Sequence, residues 1–248
     1  MNVRPATTAT PRARPPGLPA ARAAAEINVA DVSVIADCAG VLYLPHERVL
    51  VVADLHLEKG SAFAARGVLL PPYDTATTLA RLAKVVERYA PYLVVALGDN
   101  FHDGGGPARM SDMSHAALRA LQRGRDWLWI AGNHDPAPAD NIGGRFAAML
   151  ALGSLTLRHQ PSPGVCEGEI AGHLHPSARV ARRGRAVSRR CFACDGRRLL
   201  MPAFGAYAGG LNVRDGVIVS LFGAPLFTVH MLGEHRLYAV PAARCLTD

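Results

Sequence analysis

The stretch Leu50-Val-Val-Ala-Asp54-Leu-His56 limits most what this chain can fold into. Residues 50–53 read as the end of a buried strand, and the strand runs straight into Asp-x-His. In extended chain, residues i and i+2 face one way, so Asp54 and His56 would bring an oxygen and a nitrogen to one point. That ligand pair suits Mn, Fe or Zn. Alone the tripeptide says little, but four more apolar runs end in the same manner. They lead into Gly98-Asp99-Asn-Phe-His102-Asp103, Gly132-Asn133-His134-Asp135, Arg158-His159 and Gly172-His173-Leu-His175. Open α/β sheets place their ligands at the carboxyl ends of strands. Glycine ahead of a ligand lets the backbone come close without a Cβ clash.

The intervening pattern fits that arrangement. Residues 32–35, 41–43 and 49–53 read as short strands. Pro71-Pro72 opens a helix over residues 73–89, with Leu79, Leu82, Val86 and Tyr89 at three- and four-residue steps. Strands at 93–97 and 127–131 flank a helix over 110–122, and short strands follow at 155–157 and 169–171. Beyond Arg185 the pattern reads as all-β, with strands around Phe192 and at 199–201, 217–221, 226–230 and 237–240. Strands alternating with helices, then a run of strands, make a layered α/β sandwich with a mixed sheet.

Composition narrows the class. Half of the 248 residues are apolar and 19% are charged, which is globular rather than disordered. No apolar run approaches the ~20 residues that span a bilayer. The N-terminus lacks the apolar core of a signal peptide, and five cysteines is an odd count, so the expectation is a reduced, cytoplasmic setting with free thiols. Residues 1–26 are rich in Ala, Pro and Arg and read as a disordered tail, with one domain over 27–248. The net charge of +7 favours an anionic partner. Residues 179–198 carry eight Arg against one acid, Asp195, which equals that whole excess. Arginines neutralise phosphates without reading sequence, so Arg182, Arg183 and Arg185 are candidates for substrate contact.

Taken together and in this order, Asp54-x-His56, Gly-Asp99, Gly-Asn133-His134, His159 and Gly-His173-x-His175 resemble the calcineurin-like metallophosphoesterase superfamily. The resemblance implies an α/β fold, a four-layer αββα metallophosphoesterase sandwich with mixed sheets. It also implies two divalent metal ions, Mn2+ foremost, with Fe or Zn as the alternatives. Carried onto the matching positions, one ion takes Asp54, His56 and His175. The second takes Asn133, His159 and His173, and Asp99 bridges both. Such a pair of ions clamps an in-line attack on phosphorus by an acidified water. His134 is left free to stabilise the phosphate oxygens or to donate to the leaving oxygen. His102 or Asp103 would orient it or touch the substrate.

Histidine at position 102, where many phosphatases of the superfamily have aspartate, is similar to the superfamily's repair nucleases. Asp54-Leu-His-Leu-Glu-Lys59-Gly, Gly-His173-Leu-His-Pro176 and Met201-Pro-Ala-Phe-Gly-Ala-Tyr-Ala-Gly-Gly-Leu-Asn212 resemble the bacterial ligase-associated DNA damage response endonuclease/phosphoesterase (PdeM) family. That implies a dinuclear metal-dependent phosphodiesterase and endonuclease acting on DNA in repair, beside an ATP-dependent DNA ligase, an exonuclease and a helicase. Two other readings stand next to it: a phosphatase or phosphodiesterase of small nucleotides, and a non-catalytic, metal-stabilised repair scaffold. A scaffold has no need of a free His134 beside the metals. The apolar C-terminal strands offer an interface for a homodimer.

Overall fold

Period-two burial builds the molecule from two facing sheets. The computed structural model describes residues 23–137, 139, 141–224 and 226–248. The first sheet contains, in spatial order, β1 (Ala24–Val29), β2 (Val32–Asp37), β3 (Val41–Leu44), β4 (Val49–Val52), β5 (Leu93–Leu97), β6 (Asp126–Ile130) and β7 (Arg145–Ala147). Its first four strands form an antiparallel meander, and β4 to β7 run parallel. Between the parallel strands lie α1 (Lys59–Ala64), α2 (Asp74–Tyr89), α3 (Gly106–Arg109) and α4 (Asp112–Gln122).

Along β4, Leu50 and Val52 face one way and pack with Leu79 and Leu82 of α2. Val49 and Val51 face the other way and pack with Leu155, Leu157 and Ile170 of the second sheet. A strand buried on both faces must read as an unbroken apolar run, and β4, β5 and β6 do.

The second sheet takes β8 (Met149–Leu152), β9 (Leu155–Arg158), β10 (Glu169–Ala171), β11 (Pro176–Arg182), β12 (Arg185–Cys194), β13 (Arg198–Leu200) and β14 (Leu211–Asn212). Their order is β14-β11-β12-β13-β10-β9-β8. A short helix, α5 (Gly216–Leu221), precedes β15 (Thr228–Leu232) and β16 (Leu237–Pro241), which join through β12. The outer face of this sheet packs Ala193, Leu200 and Val229 against Ile218 of α5 and the C-terminal Ala242 and Cys245. The layers therefore run α, β, β, α, with the last one thin.

Three expectations need correction. Residues 217–221 read as a strand because Val217, Ile218 and Val219 are β-branched, yet they form α5. The Asp215 carboxylate accepts the Val217 N–H at 2.8 Å and caps a helix there. The next strand begins at Thr228 rather than at 226. At the other end, β1 starts at Ala24, inside the segment assigned to the tail, because Ile27 and Val29 bury one face between the sheets and Ala24 is buried on the other. The rest of the tail reading, on residues 1–22, lies outside the described residues.

The arginine-rich stretch is a hairpin. β11 and β12 pair antiparallel, and the turn residues Arg183 and Gly184 both have positive φ, 50° and 74°. That is the backbone twist a two-residue hairpin turn requires. All five cysteines are free thiols.

Candidate metal centre

The turns that carry the candidate ligands are stacked on one another by the parallel pairing below them. Past the ends of β4 and β5 the ladder continues: Asp54 donates its N–H to Gly98 O (3.2 Å), His56 to Asp99 O (2.9 Å) and Leu57 to Asn100 O (2.9 Å). Strand alternation is not what brings Asp54 and His56 together. β4 ends at Val52, and both ligands stand in the left-handed region, with φ of 53° and 43°. Asp99 (45°), His173 (70°) and His175 (47°) do the same. For a residue with a Cβ this conformation costs roughly 1–2 kcal/mol. Such strain persists where the surroundings over-determine it, and it concentrates at functional sites.

Two glycines show how tight the stacking is. A Cβ on Gly98, itself at φ 74°, would sit 2.3 Å from the His159 ring. One on Gly132 would sit 2.1 Å from the Asp99 amide nitrogen.

Two sets of donors converge. In the first, His175 Nε2 lies 3.3 Å from both His56 Nε2 and Asp54 Oδ1. In the second, His159 Nε2 lies 2.9 Å from Asn133 Oδ1, 3.2 Å from Asp99 Oδ1 and 3.2 Å from His173 Nδ1. Asp99 faces both sets, because its Oδ2 is 3.9 Å from His56 Nε2.

These residues fit divalent cations. His159 donates its Nδ1–H to Leu97 O at 3.1 Å, so in the neutral ring Nε2 is a lone pair facing other acceptors. Donors ~2.1 Å from a tetrahedral ion lie about 3.4 Å apart, close to these spacings. Asp54 and Asp99 are 0% and 2% exposed, and among the described residues neither pairs with Lys or Arg. Buried carboxylates without a fixed cation are costly.

Titration follows the same logic. Burial first, then the neighbouring His175, drives the His56 pKa down to about 3, which keeps the ring neutral. Burial and His159 lower that of His173. At His159 burial acts downward, but the hydrogen bond to Asp99 and the two aspartate charges overcome it and raise the pKa. At Asp99 burial acts upward, and the His159 ring outweighs it, holding the carboxyl below the usual range.

His134 stands beside both sets without joining either. It donates Nδ1–H to the His102 carbonyl at 2.8 Å, which turns Nε2 toward Asp99 Oδ2, 3.9 Å away. Its ring stacks on that of His102, centroids 5.3 Å apart. His102 therefore orients His134 through its backbone and ring. Asp103 does not reach the cluster by a hydrogen bond; its carboxylate takes Arg109 at 2.6 Å. Arg182, Arg183 and Arg185 are exposed at the hairpin tip. Six strand steps separate Arg182 from Pro176, roughly 20 Å along β11, so they do not line the donor cluster.

Three supporting residues carried no assigned chemistry in the sequence. Asp135 Oδ2 accepts the Asn100 and Phe101 amides at 2.9 and 3.2 Å and braces the turn bearing Asp99. Thr75 Oγ1 accepts the Glu58 amide at 2.8 Å, locking the turn after His56. Lys59 donates to Tyr207 O at 2.9 Å, and its charge helps depress His56 and His102. Lys59 stands within the Asp-x-His-x-Glu-Lys motif, which was the available signal.

A two-sheet sandwich with His/Asp donor clusters at its strand ends, together with the family pattern it matches, makes this a metal-dependent phosphoesterase. The chain belongs to the calcineurin-like phosphoesterase family, whose pattern matches residues 47–179, more than half of its length. No curated sequence compared with it matches. Among solved structures it is similar to the Pseudomonas putida nuclease MPE, at 23% identity and a TM-score of 0.67, covering 88% of this chain and 100% of that one. It is more distantly similar to YfcE, a phosphoesterase from E. coli (14% identity, TM-score 0.38, 78% and 98% covered). No described helix is long and apolar enough to cross a membrane.

Proposed function

We propose that this phosphoesterase is a dinuclear, metal-dependent phosphodiesterase that cuts DNA as a cytoplasmic repair endonuclease, alongside an ATP-dependent ligase, an exonuclease and a helicase. The observation that carries the reading is the fixed His134 ring beside a carboxylate that faces two donor sets. Asp54, His56 and His175 would hold one ion, Asn133, His159 and His173 the other, and Asp99 both, with Mn2+ the first choice and Fe or Zn the alternatives. When bound, the ions supply charge to the phosphoryl oxygens and lower the pKa of water.

The chain's own residues supply the rest. With Nδ1–H committed to the His102 carbonyl, a proton on His134 Nε2 is the one available to a departing oxygen. Burial, then Lys59 and His134, lower the pKa of His102, whose ring stacks on that of His134. The exposed arginine hairpin extends the positive surface for a polyanion, and the structurally similar P. putida protein is itself described as a nuclease.

The test is to assay the Mn-loaded protein on bis(p-nitrophenyl) phosphate, the corresponding monoester, and single- and double-stranded DNA. Cleavage of the diester and of DNA is expected. Turnover of the monoester alone would overturn the reading in favour of a small-nucleotide phosphatase, and no turnover would favour the scaffold. Replacing Arg182, Arg183 and Arg185 with Ala is expected to weaken DNA binding and lower its salt slope by about 0.9 per lost phosphate contact. Turnover of the small diester should be unchanged in that variant.

A further inference from the structure

The arginine-rich stretch contains one member that does not look outward. Arg190, on β12, is partly buried and donates Nη1 to Ala203 O at 2.9 Å and Nη2 to Ala208 O at 3.1 Å. Arg81, on α2, reaches the same segment from the opposite layer. It donates to Phe204 O at 3.0 Å, and its guanidinium lies 4.6 Å from the Phe204 ring centroid. Neither arginine has a carboxylate partner among the described residues. Burial and the proximity of Arg81 lower the Arg190 pKa. Two cations brought together without an acid are unfavourable unless the carbonyls between them are the purpose of the arrangement.

What the segment does with its amides is informative. Phe204 donates to Ala53 O (2.8 Å), Gly205 to Asp54 O (3.1 Å) and Leu211 to His175 O (3.1 Å). Asp54 and His175 belong to the same donor set, and both stand in left-handed backbone. Among the described hydrogen bonds, no amide of residues 203–211 reaches Asp99, Asn133, His159 or His173. The contact is also close, since a Cβ on Gly205 would sit 2.3 Å from Leu55 O.

We infer that Arg81 and Arg190 are positioning residues for one ion of the pair: they hold residues 203–208 so that the Phe204 and Gly205 amides, on Ala53 O and Asp54 O, keep Asp54 in its strained conformation. Their loss should weaken the ion held by Asp54, His56 and His175 and spare the one held by Asn133, His159 and His173. The inference rests on the two-ion reading of the centre and is independent of the substrate.

The test is a Mn2+ titration of the metal-stripped full chain, with bound ions counted by EPR and elemental analysis. In Arg190→Gln, one site is expected to weaken by about tenfold or more, the usual cost of losing an outer-sphere support, with the other unchanged. Arg190→Lys should restore part of the loss, because an ammonium can still reach a carbonyl. Arg81→Gln and Gly205→Ala perturb the same segment by independent routes. They should give the same one-site loss, and they carry the test if the Arg190 variants do not fold. Equal weakening of both sites, or no weakening in folded variants, would overturn the inference. So would a wild type that binds a single ion. A wild type that binds two ions but leaves DNA intact would sink the substrate reading and leave this one standing.

Discussion

In the set formed by Asp54, His56 and His175, all three donor residues occupy left-handed backbone, and His56 Nδ1 is buried with no hydrogen-bond partner among the described residues. In the set formed by Asp99, Asn133, His159 and His173, Asp99 and His173 share that conformation, but His159 leaves the end of β9 in ordinary backbone conformation and is anchored by its Nδ1–H on Leu97 O. The first set has every donor residue in that conformation, with Asp54 and His175 each held through the carbonyl by an amide of residues 204–211. The other has a hydrogen bond directly behind its deepest ligand. Metal-binding histidines are normally oriented by such an outer bond, and its loss typically costs 10- to 100-fold in affinity. The first set should therefore be the weaker and more exchangeable.

The largest effect is expected where the two sets meet. Asp99→Ala removes the carboxylate whose two oxygens face the donor nitrogens of both sets, so both ions should be lost and diester turnover should fall by roughly 10³-fold or more. Retention of two tightly bound ions in that variant would break the comparison at its root. His134→Ala comes next. It should lower diester turnover by about 10²- to 10⁴-fold while both ions stay bound, because His134 serves neither set as a ligand. Loss of an ion in that variant would place His134 among the ligands.

Asp54→Asn sharpens the contrast itself. It should weaken one ion by at least the roughly 10- to 100-fold that loss of an outer-sphere partner costs and leave the ion held by Asn133, His159 and His173 in place, as read by Mn2+ titration. If the ion on His159 leaves first, the ranking of the two sets is reversed.

The smallest expected effect is on the pH dependence of the metal-free protein. The folded His56 pKa of about 3 lies below the unfolded value of ~6.5, so between them the unfolded chain binds more protons. Stability from this group is present above ~6.5 and is lost as pH falls toward 3. Asp135, raised to about 6 by burial, acts in the opposite sense below pH 6, so the informative quantity is wild type minus variant. Denaturant unfolding of His56→Gln should show a flatter loss of stability between pH 7 and 5 than wild type. An identical slope would remove His56 from the account.

Much of the architecture was legible because buried strands and amphipathic helices leave a periodic trace. β4, β5 and β6 read as apolar runs, and α2 shows its core face at three- and four-residue steps. Where local preference and tertiary setting disagreed, the pattern failed. Val217, Ile218 and Val219 have strand propensity but follow an Asp215 cap into a helix, and the Ala-rich residues from 24 onward pair as an edge strand. For the donor residues, their identity and order were visible, but the reason they converge was not. Alternation along β4 suggested a shared strand face for Asp54 and His56, and left-handed turns do that work instead. The arginines show the same limit. Arg182 and Arg190 look alike in sequence, yet one is exposed at a hairpin tip and the other is turned inward to clamp a loop.

The sequence by itself determined the inventory of donors, the glycines that let backbones approach, and the alternation that makes two sheets stack. These are properties of neighbouring residues, recorded at periods of two and 3.6. Only the tertiary structure decided which donors face one another. His175 meets Asp54 and His56 across more than a hundred residues, because parallel pairing of β4 with β5 aligns their turns and the second sheet brings the β10–β11 turn over them. That choice is a matter of long-range pairing, and no local pattern encodes it.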